Sequence, residues 1–176
     1  MKGGPASRGF LEASMDSTQD PEAQPILEGR LAWRQALREL LLDPGPQWCM
    51  YSADFEDWPL DESEVVQALR RWALPRRRLC VRLLARDYSR LLASCSRFVA
   101  WREDFAHLLE CRELPAGIDA PSEGLWLREH ALVALPAQRE RRALRQGARE
   151  AQASRQLFDQ AWELAEPGFA PRALGL

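Results

Sequence analysis

Lysine is almost missing from this chain: of 24 basic side chains only Lys2 is a lysine, and the rest are arginine. That removes a lysine Schiff base, a phosphate-loop lysine and any His-x-Lys motif from the folded part. Histidine is equally scarce, with His107 and His130 alone, so a histidine-based constellation has at most two members. The four cysteines, Cys49, Cys80, Cys95 and Cys111, contain no C-x2-C pair. This spacing excludes a zinc ribbon and a dense disulfide framework, and leaves buried free thiols with no metal or cofactor. No apolar run approaches the ~20 residues of a membrane span, and the first residues lack the apolar core of a secretory signal. A cytoplasmic protein without membrane contact is expected. The arginine excess is ascribed mainly to a GC-rich bacterial genome.

What is present fits one soluble domain. The 176 residues are 46% hydrophobic and 28% charged, with a formal charge of −2. A near-neutral balance lacks the basic excess of a nonspecific nucleic-acid coat, so nucleic acid is disfavoured as a partner. Residues 1–25 mix Gly, Pro, Ser and acids without apolar patterning and read as a disordered leader, within which Met15 offers an alternative start. A single domain is expected over 26–166, followed by a tail over 167–176.

Within the domain, Trp33, Leu37, Leu40 and Leu41 recur at helical spacing until Asp43-Pro44-Gly45-Pro46 stops the helix. The run QWCMYS (47–52) suits a buried strand, and an acidic loop over 54–61 follows it. Asp61 or Ser63 is placed to cap a helix with Val65, Val66, Leu69 and Trp72 on one face, ended by Pro75. LCVRLL (79–84) is a second strand, and 86–105 is helical, in one or two pieces. Residues 107–114 fit a helix extension or a strand equally well. GLWLRE and HALVAL read as a hairpin, and a closing helix carries Leu157, Phe158, Ala161 and Trp162 on its inner stripe. Helices alternating with strands imply an α/β fold, a mixed sheet flanked by helices.

The segments YSADFEDW, CVRLLARD and QLFDQAWELAEP, in that order, resemble one half of the phospholipase-D-like fold, most closely an uncharacterised bacterial family of single-half proteins. Active members of that superfamily carry H-x-K-x4-D. Here His130 is followed by Ala131 and then Leu132 at the lysine position, so the resemblance transfers no catalytic residue. Because two halves meet to form one site in the superfamily, the resemblance implies a homodimer.

Three features are candidates for function. His107 and Cys111 stand at i, i+4, a spacing that shares one face and allows a thiol–imidazole pair. Arg76, Arg77 and Arg78, preceded by Arg70 and Arg71, form an anion-binding candidate, with a second arginine group (Arg139, Arg141, Arg142, Arg145) assigned to the closing helix. Phe55 and Trp58, in the acidic loop, are expected to be exposed and to serve an interface. These support a non-catalytic module that binds a protein partner or a phosphorylated ligand. The alternatives are an enzyme with a rebuilt His/Cys/Arg site for phosphoester or acyl chemistry, and a nucleic-acid binder using the arginine clusters.

Overall fold

The computed structural model describes residues 26–136 and 142–169. Its strands are β1 (Ile26–Glu28), β2 (Trp48–Ser52), β3 (Val81–Ala85), β4 (Leu109–Glu113), β5 (Gly124–Trp126), β6 (Ala131–Leu135), β7 (Arg142–Gln146) and β8 (Glu166–Pro167). They form one sheet in the order β1-β7-β6-β5-β2-β3-β4-β8. β2, β3 and β4 run parallel, and every other pairing is antiparallel. The helices are α1 (Arg30–Leu42), α2 (Ser63–Ala73), α3 (Ser89–Ser94), α4 (Ser96–Asp104) and α5 (Ala148–Leu164). The architecture is therefore the expected mixed sheet flanked by helices.

Side-chain alternation along the strands divides the core in two. Trp48, Met50, Leu83, Leu125 and Leu132 point to the face covered by α1, α2, α3 and α4, where they meet Trp33, Leu37, Leu69, Phe98 and Trp101. Cys49, Tyr51, Leu84, Trp126 and Val133 point to the opposite face and pack on Phe158 and Trp162 of α5. All five residues of β2 are buried. A central strand covered on both faces needs a continuous apolar run, which is what WCMYS supplies.

Several expectations are corrected. Residues 26–28 form an edge strand ahead of α1, where no strand was expected. The segment assigned to the charged start of the closing helix is β7, which pairs with both β6 and β1, so Arg142 and Arg145 stand on a strand. Arg139 and Arg141 lie outside the described residues. RALRQ is rich in helix formers, and tertiary pairing overrides that preference. Leu157 leaves the inner stripe of α5 and is 55% exposed, whereas Phe158, Ala161 and Trp162 are buried. Residues 106–108 make a single 3-10 turn before β4, so the ambiguous segment is mostly strand. Neither expected cap serves α2, whose N-cap Glu62 makes no side-chain cap bond; Asp61 instead accepts the Arg97 N–H on α4 at 2.8 Å.

The leader over 1–25 and the tail beyond 169 lie outside the described residues. Residues 167–169, assigned to the tail, lie against the domain. Pro167 pairs with Arg112, the Gly168 N–H donates to the Cys111 carbonyl at 3.0 Å, and the Phe169 ring lies 5.1 Å from that of Tyr88. A Cβ on Gly168 would stand 2.5 Å from Cγ of Glu113, so the close approach requires glycine.

Candidate anion-binding cleft

β2 and β3 enter the sheet side by side, with Trp48 paired to Val81. Beyond that end the Pro44–Gln47 turn, the α2–β3 connection, the β5–β6 connection and the first turns of α5 enclose a cleft of about 730 Å³. Five arginines line it: Arg76, Arg77 and Arg78 from the α2–β3 connection, Arg128 from the β5–β6 connection and Arg155 from α5. No carboxylate is among its lining residues. Pro46, Pro75, Leu79, Leu127 and Ala151 form the apolar part of the wall.

Each guanidinium is held differently. Arg76 lies 3.9 Å over the Trp72 ring and donates to the Trp72 carbonyl, with Gly45 O a further acceptor at 3.5 Å. The Trp72 indole N–H also donates to Gly45 O, at 2.5 Å, tying α2 to the turn that ends α1. Arg77 donates to the carbonyls of Leu74 and Arg76 at 2.8 and 2.9 Å. Carbonyl partners orient these two groups without neutralising them. Arg155 shares Asp159, at 3.3 Å, with Arg82, at 2.6 Å. Arg78 and Arg128 are exposed and have no acidic partner among the described residues. A concave wall carrying one sign of charge concentrates the field and attracts anions.

Cys80 also lines the cleft, and burial pushes its thiol above the usual range despite the opposing charge of Arg76. An activated thiolate is not what this wall offers. Beside the cleft, a smaller one of about 290 Å³ shares Arg128 and is lined by Asp43, Glu129 and His130. His130 is exposed, and Leu132, two residues on, is fully buried in the helix-covered core.

The anion candidates Arg76, Arg77 and Arg78 thus come together, whereas the other candidates do not behave as expected. His107 is exposed on the 3-10 turn and Cys111 is buried in β4, so the shared face is not formed. Burial pushes the Cys111 thiol up, and His107 does not line the cleft. Phe55 and Trp58 are each only 2% exposed, which corrects their assignment as exposed residues. The Trp58 indole N–H donates to Glu123 Oε1 at 2.7 Å, and Ser52 Oγ donates to the same oxygen at 2.8 Å. The carboxylates of the acidic loop pair with arginines outside the cleft, with Arg30, Arg90 and Arg97 through Asp57, Asp54, Glu56 and Asp61. Of the second arginine group, the described members are engaged elsewhere, with Arg142 near Glu28 and Arg145 bound to Glu39 at 2.7 Å. The Arg145 hydrogen bond holds the Glu39 carboxyl below its usual range.

Arg128 and Arg155 were not singled out from the sequence. They lie 50 and 77 residues beyond Arg78 on separate elements, and only the sheet order brings them to it. Among the described residues no group of three or more His, Cys, Asp or Glu is placed to hold a metal ion, and no helix is long and apolar enough to cross a membrane.

Solved structures share this fold. TrmBL2, an archaeal chromatin protein whose structure shows a novel mode of DNA binding, matches with a TM-score of 0.61 at 17% identity. The match covers 90% of this chain, which spans 59% of that one. NucT from Helicobacter pylori matches with a TM-score of 0.54 at 8% identity, over 83% of this chain and 98% of that one. Nuc from Salmonella typhimurium, a phospholipase D family member, reaches 0.47 at 9% identity, over 83% and 99% of the two chains. At these identities the likeness concerns the fold alone. No curated protein matches the sequence. Residues 30–174 match the model of a domain of unknown function, DUF7931, and the chain belongs to that family.

Proposed function

We propose that this protein is a non-catalytic, cytoplasmic phospholipase-D-like domain that binds phosphate groups in the arginine cleft. One observation carries the reading: five guanidinium groups from three separate elements line one concavity that has no carboxylate among its described lining residues. Guanidinium forks match phosphate oxygens bidentately, and Arg remains charged at every physiological pH. The non-catalytic part rests on Leu132 at the lysine position and on the Cys80 thiol in the cleft wall, which burial pushes above its usual range. The enzyme alternative required His107 and arginines in one pocket, and His107 lies outside this one.

The test is isothermal titration calorimetry with inorganic pyrophosphate, alongside a hydrolysis assay on bis(p-nitrophenyl) phosphate. Saturable binding is expected for the native protein and a loss of at least about tenfold in Arg78→Ala/Arg128→Ala. No turnover is expected. Absent binding, or binding unchanged in the double variant, removes the reading. Turnover that disappears with His130→Ala restores an enzyme.

A further inference from the structure

We infer that the ligand of this cleft is a small molecule with two or more linked phosphates on an apolar, planar body, the chemistry of a nucleoside di- or triphosphate. The inference rests on the phosphate-binding reading and narrows its ligand.

The first argument is the number and distribution of charges. One or two bidentate guanidiniums satisfy a single phosphate. Here Arg76 and Arg77 sit on the α2–β3 connection, Arg128 on the β5–β6 connection and Arg155 on α5, around a volume of about 730 Å³. A lone phosphate would leave most of that charge unanswered and most of the space wet. A linked polyphosphate spreads its negative oxygens over several guanidiniums. Arg76, lying over the Trp72 ring, and Arg77, held by two carbonyls, are already oriented, so binding spends little side-chain entropy on them. Arg78 and Arg128 are free to close over the charge.

The second argument is the apolar wall. Leu79 is 47% exposed, a large aliphatic side chain facing solvent beside Pro75 and Pro46 in an otherwise cationic cleft. Inorganic polyphosphate has nothing to cover it. A purine-sized ring does, and the Arg76 guanidinium offers a plane for stacking. The cleft volume lies within the roughly 300–1,000 Å³ of small-molecule sites.

A running nucleic-acid strand fits less well. Asp43 and Glu129 line the adjoining cleft on the His130 side, so the positive track stops there.

The experiment uses the full chain and calorimetry with inorganic phosphate, tripolyphosphate, ATP, adenosine and a short single-stranded oligonucleotide. ATP is expected to bind about tenfold or more tightly than tripolyphosphate, with inorganic phosphate and adenosine both weaker. Leu79→Ser, at an exposed position and with its folding checked by circular dichroism, should remove most of the advantage of ATP and leave tripolyphosphate unchanged. Arg78→Ala/Arg128→Ala should weaken both. Equal affinity for tripolyphosphate and ATP overturns this inference while the phosphate-binding reading stands. An oligonucleotide that outcompetes ATP overturns it in favour of nucleic acid. Failure of every phosphate-bearing probe removes the underlying reading as well.

Discussion

The guanidinium of Arg102 is buried against Phe169: it donates to the Phe169 carbonyl, and its central carbon stands 4.4 Å from the centre of that ring. Among the described residues no carboxylate pairs with it, and its Nε and Nη1 have no hydrogen-bond partner. Phe169 adopts a positive φ of 44°, unusual for a residue with a side chain. The strap over β4 thus buries a cation that is only partly satisfied.

Replacing that cation by an apolar chain of similar length should not harm the fold, because a poorly paired buried charge costs several kcal/mol in desolvation. Arg102→Met is expected to leave stability unchanged or raise it by about 1–3 kcal/mol. Phe169→Ala should lower it by about 1–3 kcal/mol through lost packing on Tyr88. Urea unfolding of both variants measures the pair; a marked loss in Arg102→Met would reveal a counter-charge on the guanidinium.

On α5, Trp162 is buried against Phe158, while Leu157 beside it faces solvent. Trp162→Ala should cost about 3–5 kcal/mol. Leu157→Ala should stay within about 0.5 kcal/mol. Thermal and chemical denaturation decide it, and equal costs would place Leu157 in a contact surface.

Trp58 belongs to the core, so Trp58→Ala should cost about 3–5 kcal/mol, not the small amount expected for an exposed loop residue. Glu123→Ala removes the acceptor shared by the Trp58 indole and Ser52, leaving donors unmatched at a cost of about 1–3 kcal/mol. A double-mutant cycle of Trp58→Phe with Glu123→Ala should give a coupling of about 1 kcal/mol or more. Strict additivity would refute the bond.

Burial pushes the Cys49 thiol up to about 12 from an ordinary value near 9. Between those values the unfolded thiol loses its proton and the folded one keeps it. Stability is therefore fully present below the unfolded pKa and falls as pH rises through this window, by about 1.4 kcal/mol per pH unit for this group. The Cys80, Cys95 and Cys111 thiols are raised by burial as well and add to the slope. Cys49→Ala should flatten the alkaline decline in urea-measured stability, and an unchanged slope would exclude Cys49 as its source. Iodoacetamide mapping of native protein at pH 8 should label the half-buried Cys80 before Cys49.

Wherever one local periodicity decides the outcome, the sequence alone determined the structure. The stripe Trp33, Leu37 and Leu41 needs only a helix and an apolar partner, and WCMYS needs only a covered sheet. The mixed α/β class follows from that alternation, and the near absence of lysine limits the chemistry without any coordinates. The tertiary structure decided what depends on partners distant in the chain. RALRQ has the local preference of a helix but becomes β7 because β6 and β1 offer hydrogen bonds on both sides. Trp58 looks exposed among acids, yet Glu123, 65 residues away, draws its indole inward. The spacing of His107 and Cys111 suggested a pair, but the chain changes from a 3-10 turn to a strand between them, and the shared face is lost. Arg76, Arg77 and Arg78 were legible as a charge cluster. That they line a cleft with Arg128 and Arg155 follows from the parallel entry of β2 and β3 beside α5, since sheet order, not sequence spacing, determines which charges share one concavity.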